Sequence, residues 1–236
     1  MSVDNSRTQL MYLFWIAAAV SVGLNYVPFG GYVLYPFSIL STWVHEMGHG
    51  LTAEMVGGDF SHLELYANLG GVAFSSRPDN LIAPALIAIG GLLGPAIAGG
   101  LVILLGSRAK TARWVMEGLG VLLILSALIF VRNGFGFAAV LILGTAAIVI
   151  GRYANELVEM AVAQFVGIRF CLESLSDVDY MFTKEFTRGG RVMSSDTQAI
   201  AEQLGLTYWI WGALIAALSV VILAGSFWLA WGRRSS

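Results

Sequence analysis

Charge is scarce in this sequence of 236 residues: Asp, Glu, Lys and Arg together make up 12% of it, about half the share of an ordinary soluble domain. A soluble fold of that makeup would leave contiguous apolar surface against water. The net charge of −2 excludes a basic footprint for nucleic acid. There is one cysteine, Cys171, so neither an internal disulfide framework nor a cysteine-based metal site can be built. Prolines number five and histidines three, so each breaks or marks the chain at few places. No small-residue cleavage site stands out behind the apolar run after Arg7, so that run is not read as a cleaved leader.

What is abundant is apolar. Hydrophobic residues make up 57% of the chain and the mean hydropathy is +0.76. The expected fold is an all-α, polytopic membrane protein, one transmembrane domain over residues 1–236, multi-pass in the lipid bilayer. A spanning helix needs about 20 mainly apolar residues, and six runs qualify. They are Gln9–Val27, Val33–Val56, Leu81–Leu105, Trp114–Val131, Phe137–Ile150 and Leu206–Trp231. The fifth can continue with amphipathic character toward Ile168. Pro28, Gly30 and Gly31 separate the first two. Gly90 to Gly100 with Pro95 make the third suited to close helix contact. Tyr208, Trp209, Trp211, Trp228 and Trp231 lie at the two ends of the last span, as an aromatic belt does.

Residues 59–77 differ. Leu63 and Leu65, then Val72 and Phe74, alternate on either side of Asn68-Leu69-Gly70-Gly71, the pattern of a β-hairpin. It is too short to span and must lie at the interface or against the helices. Residues 169–204 turn polar and read as the one extended solvent-facing stretch. Ser195 with Gln198 fits a capping box that starts a short helix, and Gly205 fits its end. On a six-span count Arg108, Lys110 and Arg113 fall on the same side as that polar stretch. The excess of cations there would make that side cytoplasmic, by a margin too thin to fix the orientation.

The chemistry is concentrated in the motif helix, residues 33–57. His45 and His49 are four residues apart, roughly 40° on a helical wheel, so their imidazoles share a face. Two such imidazoles can hold one zinc ion, and Glu46 between them can act as general base on a metal-bound water. The plainer readings are hydrogen-bonded core histidines or a site for ion or proton passage. Ionisable groups inside a membrane are costly, however, and are functional by default. A catalytic zinc site has three protein ligands and one open position. His62, in the hairpin, is a weak candidate for the third. Asp177 and Asp179, at the start of a short helix, are better ones. Periodicity puts Asp179 on the apolar side with Leu172, Leu175, Val178 and Phe182. Glu54, five residues past His49, points away from the pair. Glu156 and Glu159 read as an amphipathic face.

His45-Glu46-Met47-Gly48-His49, followed by Gly50-Leu51-Thr52-Ala53 and then a Gly-bearing hairpin, resembles the site-2 protease family of intramembrane zinc metalloproteases. The resemblance is strongest over about residues 35–80 and points to the compact branch without a PDZ domain. It implies a zinc endopeptidase of the cell membrane, cutting membrane-spanning protein substrates in regulated intramembrane proteolysis. It implies an aspartate as third ligand, placed like Ser176-Asp177, so Asp177 is preferred and Asp179 is the alternate. The Leu-Asp-Gly tract of the best-known members is missing. Substrate is expected to pair with the hairpin at Asn68, Gly70, Gly71 and Val72. A non-proteolytic scaffold or ion-handling protein that retains the motif is the alternative reading. Glu46 argues against it, since a scaffold needs no general base.

Overall fold

The structure is a computed structural model that describes residues 3–76, 80–176, 182–188 and 191–232. It is mostly helical, with eight α-helices among the described residues. In chain order these are α1 (Val3–Gly23), α2 (Gly30–Met55), α3 (Ala83–Gly106), α4 (Ala109–Ile129), α5 (Gly134–Tyr153), α6 (Glu156–Ser176), α7 (Asp196–Leu204) and α8 (Tyr208–Trp231). Strands β1 (Asp59–Leu65) and β2 (Gly71–Ser76) form one antiparallel hairpin, β3 (Glu185–Arg188) and β4 (Arg191–Ser194) another.

Four described helices, α3, α4, α5 and α8, are long and apolar enough to cross a membrane. A fifth span results if residues 14–26 and α2, bent by 116° at their break, count as one. The expected count of six is not confirmed: among the described residues four or five spans qualify, with the first two runs meeting in a sharp elbow. Pro28 and Phe29 sit at that elbow, Phe29 in the left-handed region at φ 65°. Gly30 is required there: a Cβ would fall 1.8 Å from the Leu24 carbonyl oxygen.

The second difference concerns α6. The fifth run does not continue as one helix; it ends at Tyr153, and Glu156 starts a new helix that runs to Ser176. Residues 169–176 therefore belong to the bundle and not to a solvent-facing stretch. Arg169 is buried, its guanidinium paired with Glu173 one turn on and 3.5 Å from both Ser21 of α1 and Ser38 of α2. A charge satisfied inside the fold reads in sequence like one facing water. The run of α6 is antiparallel to α3, with Gln164 bonded to the Ile103 carbonyl at 3.0 Å and Ser174 to that of Leu92 at 3.1 Å. This return along α3 puts the α3–α4 turn, with Arg108 and Lys110, at the opposite end of α3 from Ser176 and α7. The six-span alternation placed them together.

The first hairpin is fastened on both sides. Phe60 packs on Gly50 of α2, and its backbone N–H donates to Glu54 at 2.7 Å. Tyr35 and Thr42 of α2 donate to the carbonyls of Ala67 and Leu69 at 2.8 and 2.9 Å. The outer edge of β1 is covered by the α4–α5 connection. Leu63 N–H donates to Phe130 at 2.9 Å, Arg132 N–H donates to Leu63 at 3.1 Å, and Asn133 brackets the Leu65 backbone. Among the described residues the strand next to β2 in this two-stranded sheet is β1. The largest core cluster joins α2, β1, α4, α5 and α6 around Ile39, Leu63, Leu65, Leu123 and Phe170.

Candidate metal centre

Helical periodicity lines up Ser38, Thr42, His45 and His49 on one stripe of α2. Along part of its length this stripe meets the N-terminal half of α3, where glycines let the backbones close. A Cβ on Gly90 would fall 2.0 Å from the Thr52 hydroxyl, and one on Gly91 would fall 2.2 Å from the His49 ring. His49 is oriented by that contact and by the Ile87 carbonyl, 2.9 Å from its Nδ1. A carbonyl only accepts, so Nδ1 carries the proton and Nε2 keeps its lone pair. Metal-binding histidines are characteristically held in this way.

The third group comes from far along the chain. Asp196, first residue of α7, places Oδ2 3.3 Å from His45 Nε2 and 3.3 Å from His49 Nε2, while the two Nε2 atoms are 3.0 Å apart. Among the described residues this is the group of His, Cys, Asp and Glu side chains able to share one metal ion. Residue Ser195 caps α7, its hydroxyl accepting from Gln198 N–H at 3.2 Å, and is fully buried. Of the capping box read from the sequence only the N-cap half forms, and it presents Asp196; the Gln198 side chain donates to Glu202 at 2.9 Å, and Ser195 N–H to the Lys184 carbonyl at 3.1 Å. Asp177 and Asp179 lie outside the described residues. The sequence reading passed over Asp196, although Ser195-Asp196 repeats the Ser-Asp pair seen at Ser176-Asp177.

Glu46 is not part of the three-donor group. Its side chain is 6% exposed and lies over the start of β2, where a Cβ on Gly71 would fall 2.5 Å from its Cγ and 2.6 Å from its Oε1. The absent side chain at Gly71 is what lets the carboxylate sit between helix and hairpin. Of the other hairpin residues, Asn68 accepts from Gly70 N–H at 3.2 Å and shapes the turn, and Val72 faces Glu64 across the ladder. His62 stacks on Phe74 at 4.3 Å, outside the three-donor group. The Glu54 carboxylate caps the start of β1, as described above. Glu159 is buried at the start of α6, and Glu156 belongs to the same first turn.

The donor set fits a zinc ion. Ligand bonds of about 2.0–2.2 Å in a tetrahedron put donor atoms about 3.3–3.5 Å apart. The three observed separations, 3.0, 3.3 and 3.3 Å, are close to that triangle. Neutral imidazole nitrogens that approach with lone pairs converging repel one another unless a proton or a cation lies between them.

Fold and site together define a multi-pass membrane protein with a partly buried His/His/Asp centre and a glutamate beside it. The chain belongs to the Peptidase M50B-like family, whose model matches residues 12–226, and thus to the site-2 protease family of membrane metalloproteases; no PDZ domain is found. No curated protein and no solved structure matches the chain at the significance required.

Proposed function

We propose that this protein is an intramembrane zinc endopeptidase that hydrolyses peptide bonds in or near transmembrane segments of membrane-anchored proteins. The observation that carries the reading is the spacing of His45 Nε2, His49 Nε2 and Asp196 Oδ2, a triangle that fits three ligands of one zinc ion. His45, His49 and Asp196 would hold the metal, leaving one position open. Zinc bound there supplies Lewis-acid polarisation of the scissile carbonyl and a water of lowered pKa.

Glu46 then takes the proton of the attacking water and gives it to the leaving amine. Burial against Gly71 keeps it from the competing solvent. A helical peptide bond is shielded by its own hydrogen bonds, so the substrate must be extended before attack. The β2 strand supports this by strand addition: β1 is covered on its outer side by Phe130 to Asn133, and Gly71 brings β2 against Glu46. The cell membrane is the location this reading implies.

The test is cleavage of a membrane-segment substrate by purified protein in lipid, with Glu46→Gln as the paired variant. Cleavage by the wild type, and its loss in Glu46→Gln at unchanged zinc content, is expected. Equal turnover by the two would remove the assigned role. Zinc-loaded, folded wild type that cuts none of a panel of spanning segments would favour the scaffold or ion-handling reading.

A further inference from the structure

An apolar groove of about 660 Å³ runs between α2, α3 and α4, on the side of the motif helix where Met47, Gly48 and Leu51 lie. Trp43 and, from α6, Phe170 line it more deeply. The stretches of α3 and α4 along it, Gly94–Leu105 and Thr111–Leu122, are each about 17 Å long at 1.5 Å per residue. That is the depth of about one leaflet, half of a hydrocarbon core of roughly 30 Å. One end lies at the α3–α4 turn, where Leu105, Thr111 and Trp114 close it. Arg108 and Lys110 are exposed on that turn and have no ion-pair partner among the described residues. Arg113 lies over the Trp114 ring at 5.7 Å and pairs with Glu117 at 2.8 Å.

We infer that this groove is a binding site for an anionic phospholipid, one acyl chain lying along α3 and α4 and the headgroup on Arg108 and Lys110. Two features favour a lipid over a polypeptide. An extended peptide would strand its backbone groups there, because the polar atoms of the wall are spent internally: Trp43 donates to Ser126 at 2.9 Å and Thr111 to Leu105. The free cations sit at the headgroup end, where each basic residue favours an anionic lipid by roughly fivefold. The lipid would pack directly on the motif helix, on the side away from the metal ligands. The inference does not depend on the metal centre being a protease.

Trp43 and Trp114 make the site visible to quenching by brominated acyl chains. Full-length protein in phosphatidylcholine vesicles would be doped with dibrominated phosphatidylglycerol or dibrominated phosphatidylcholine. Wild type should show a saturable quenching component with phosphatidylglycerol at a mole fraction at least about fivefold lower. Arg108→Gln with Lys110→Gln should bring the two lipids to parity. Gly118→Leu should remove the saturable component with both lipids. A Cβ at Gly118 meets nothing within 4 Å, so the added side chain starts in open space at the wall of the groove; an unchanged circular dichroism spectrum and melting temperature would show that the fold is kept. Parity in wild type, or a preference unchanged in the double variant, would overturn the proposal. So would displacement of the lipid by a stoichiometric spanning peptide, which would assign the groove to a substrate helix.

Discussion

Replacing Asp196 by Asn tests the assembly of the site more sharply than any change to the histidines. Asn keeps the shape and the first position of α7 but removes the charge that faces His45 and His49 at 3.3 Å. Structural zinc sites with four ligands bind with about 10–16 kcal/mol. An equal share for each ligand is then roughly 3–4 kcal/mol, a weakening of about 10²- to 10³-fold. The assay is zinc per chain by elemental analysis, after equilibration with a chelator that buffers free zinc over several decades. Wild type should hold one zinc ion per chain, and Asp196→Asn should shift the midpoint by two to three decades. Asp177→Asn and Asp179→Asn should leave it within a few-fold of wild type. The reasoning fails if Asp196→Asn binds like wild type while Asp177→Asn loses the metal. The donor triangle would then be an accident of packing, and the earlier Ser-Asp pair would supply the ligand.

Three other perturbations separate parts of the machinery. Gly71→Ala puts a Cβ within 2.6 Å of the Glu46 carboxylate; cleavage should fall at least about tenfold with zinc content unchanged, and normal turnover would show that Glu46 relaxes freely. Ala73→Pro removes an outward-facing backbone donor from β2, since its partner Leu63 turns its own N–H and C=O to the outer side of β1; turnover of a membrane-segment substrate should drop without zinc loss, and unchanged turnover would eliminate strand addition. Ser195→Ala deletes the cap that starts α7, a cost of about 1 kcal/mol; zinc affinity should weaken by up to about fivefold, and an unaltered midpoint would show that Asp196 is held by other contacts.

The parts of the fold that were legible in the sequence are the local ones. Helix α2 is an apolar run, and the spacing of His45 and His49 fixes their common face whatever surrounds them. The hairpin was readable from alternation around Asn68 to Gly71, and its observed strands, Asp59–Leu65 and Gly71–Ser76, fall within the expected residues. Arg169 misled the reading because charge in a sequence does not say whether its partner is water or Glu173. The fifth run was carried toward Ile168 as one helix, so the break before Glu156 and the last turns of α6 to Ser176 were missed, and with them the end of the bundle at which the α3–α4 turn lies.

The third carboxylate belongs to a different kind of information. Ser176-Asp177 and Ser195-Asp196 are the same pair of residues, and nothing local ranks one above the other. The choice is made by where α6 ends, how β3 and β4 turn the chain, and which helix start then lies over His45 and His49. By itself the sequence determined the membrane setting, the histidine pair and the glutamate between them, because hydropathy and helical spacing act within a few turns of chain. Only the tertiary structure brought Asp196 across nearly 150 residues, laid Gly71 under Glu46 and opened the groove beside the motif, because packing between distant segments leaves no periodic trace in either one.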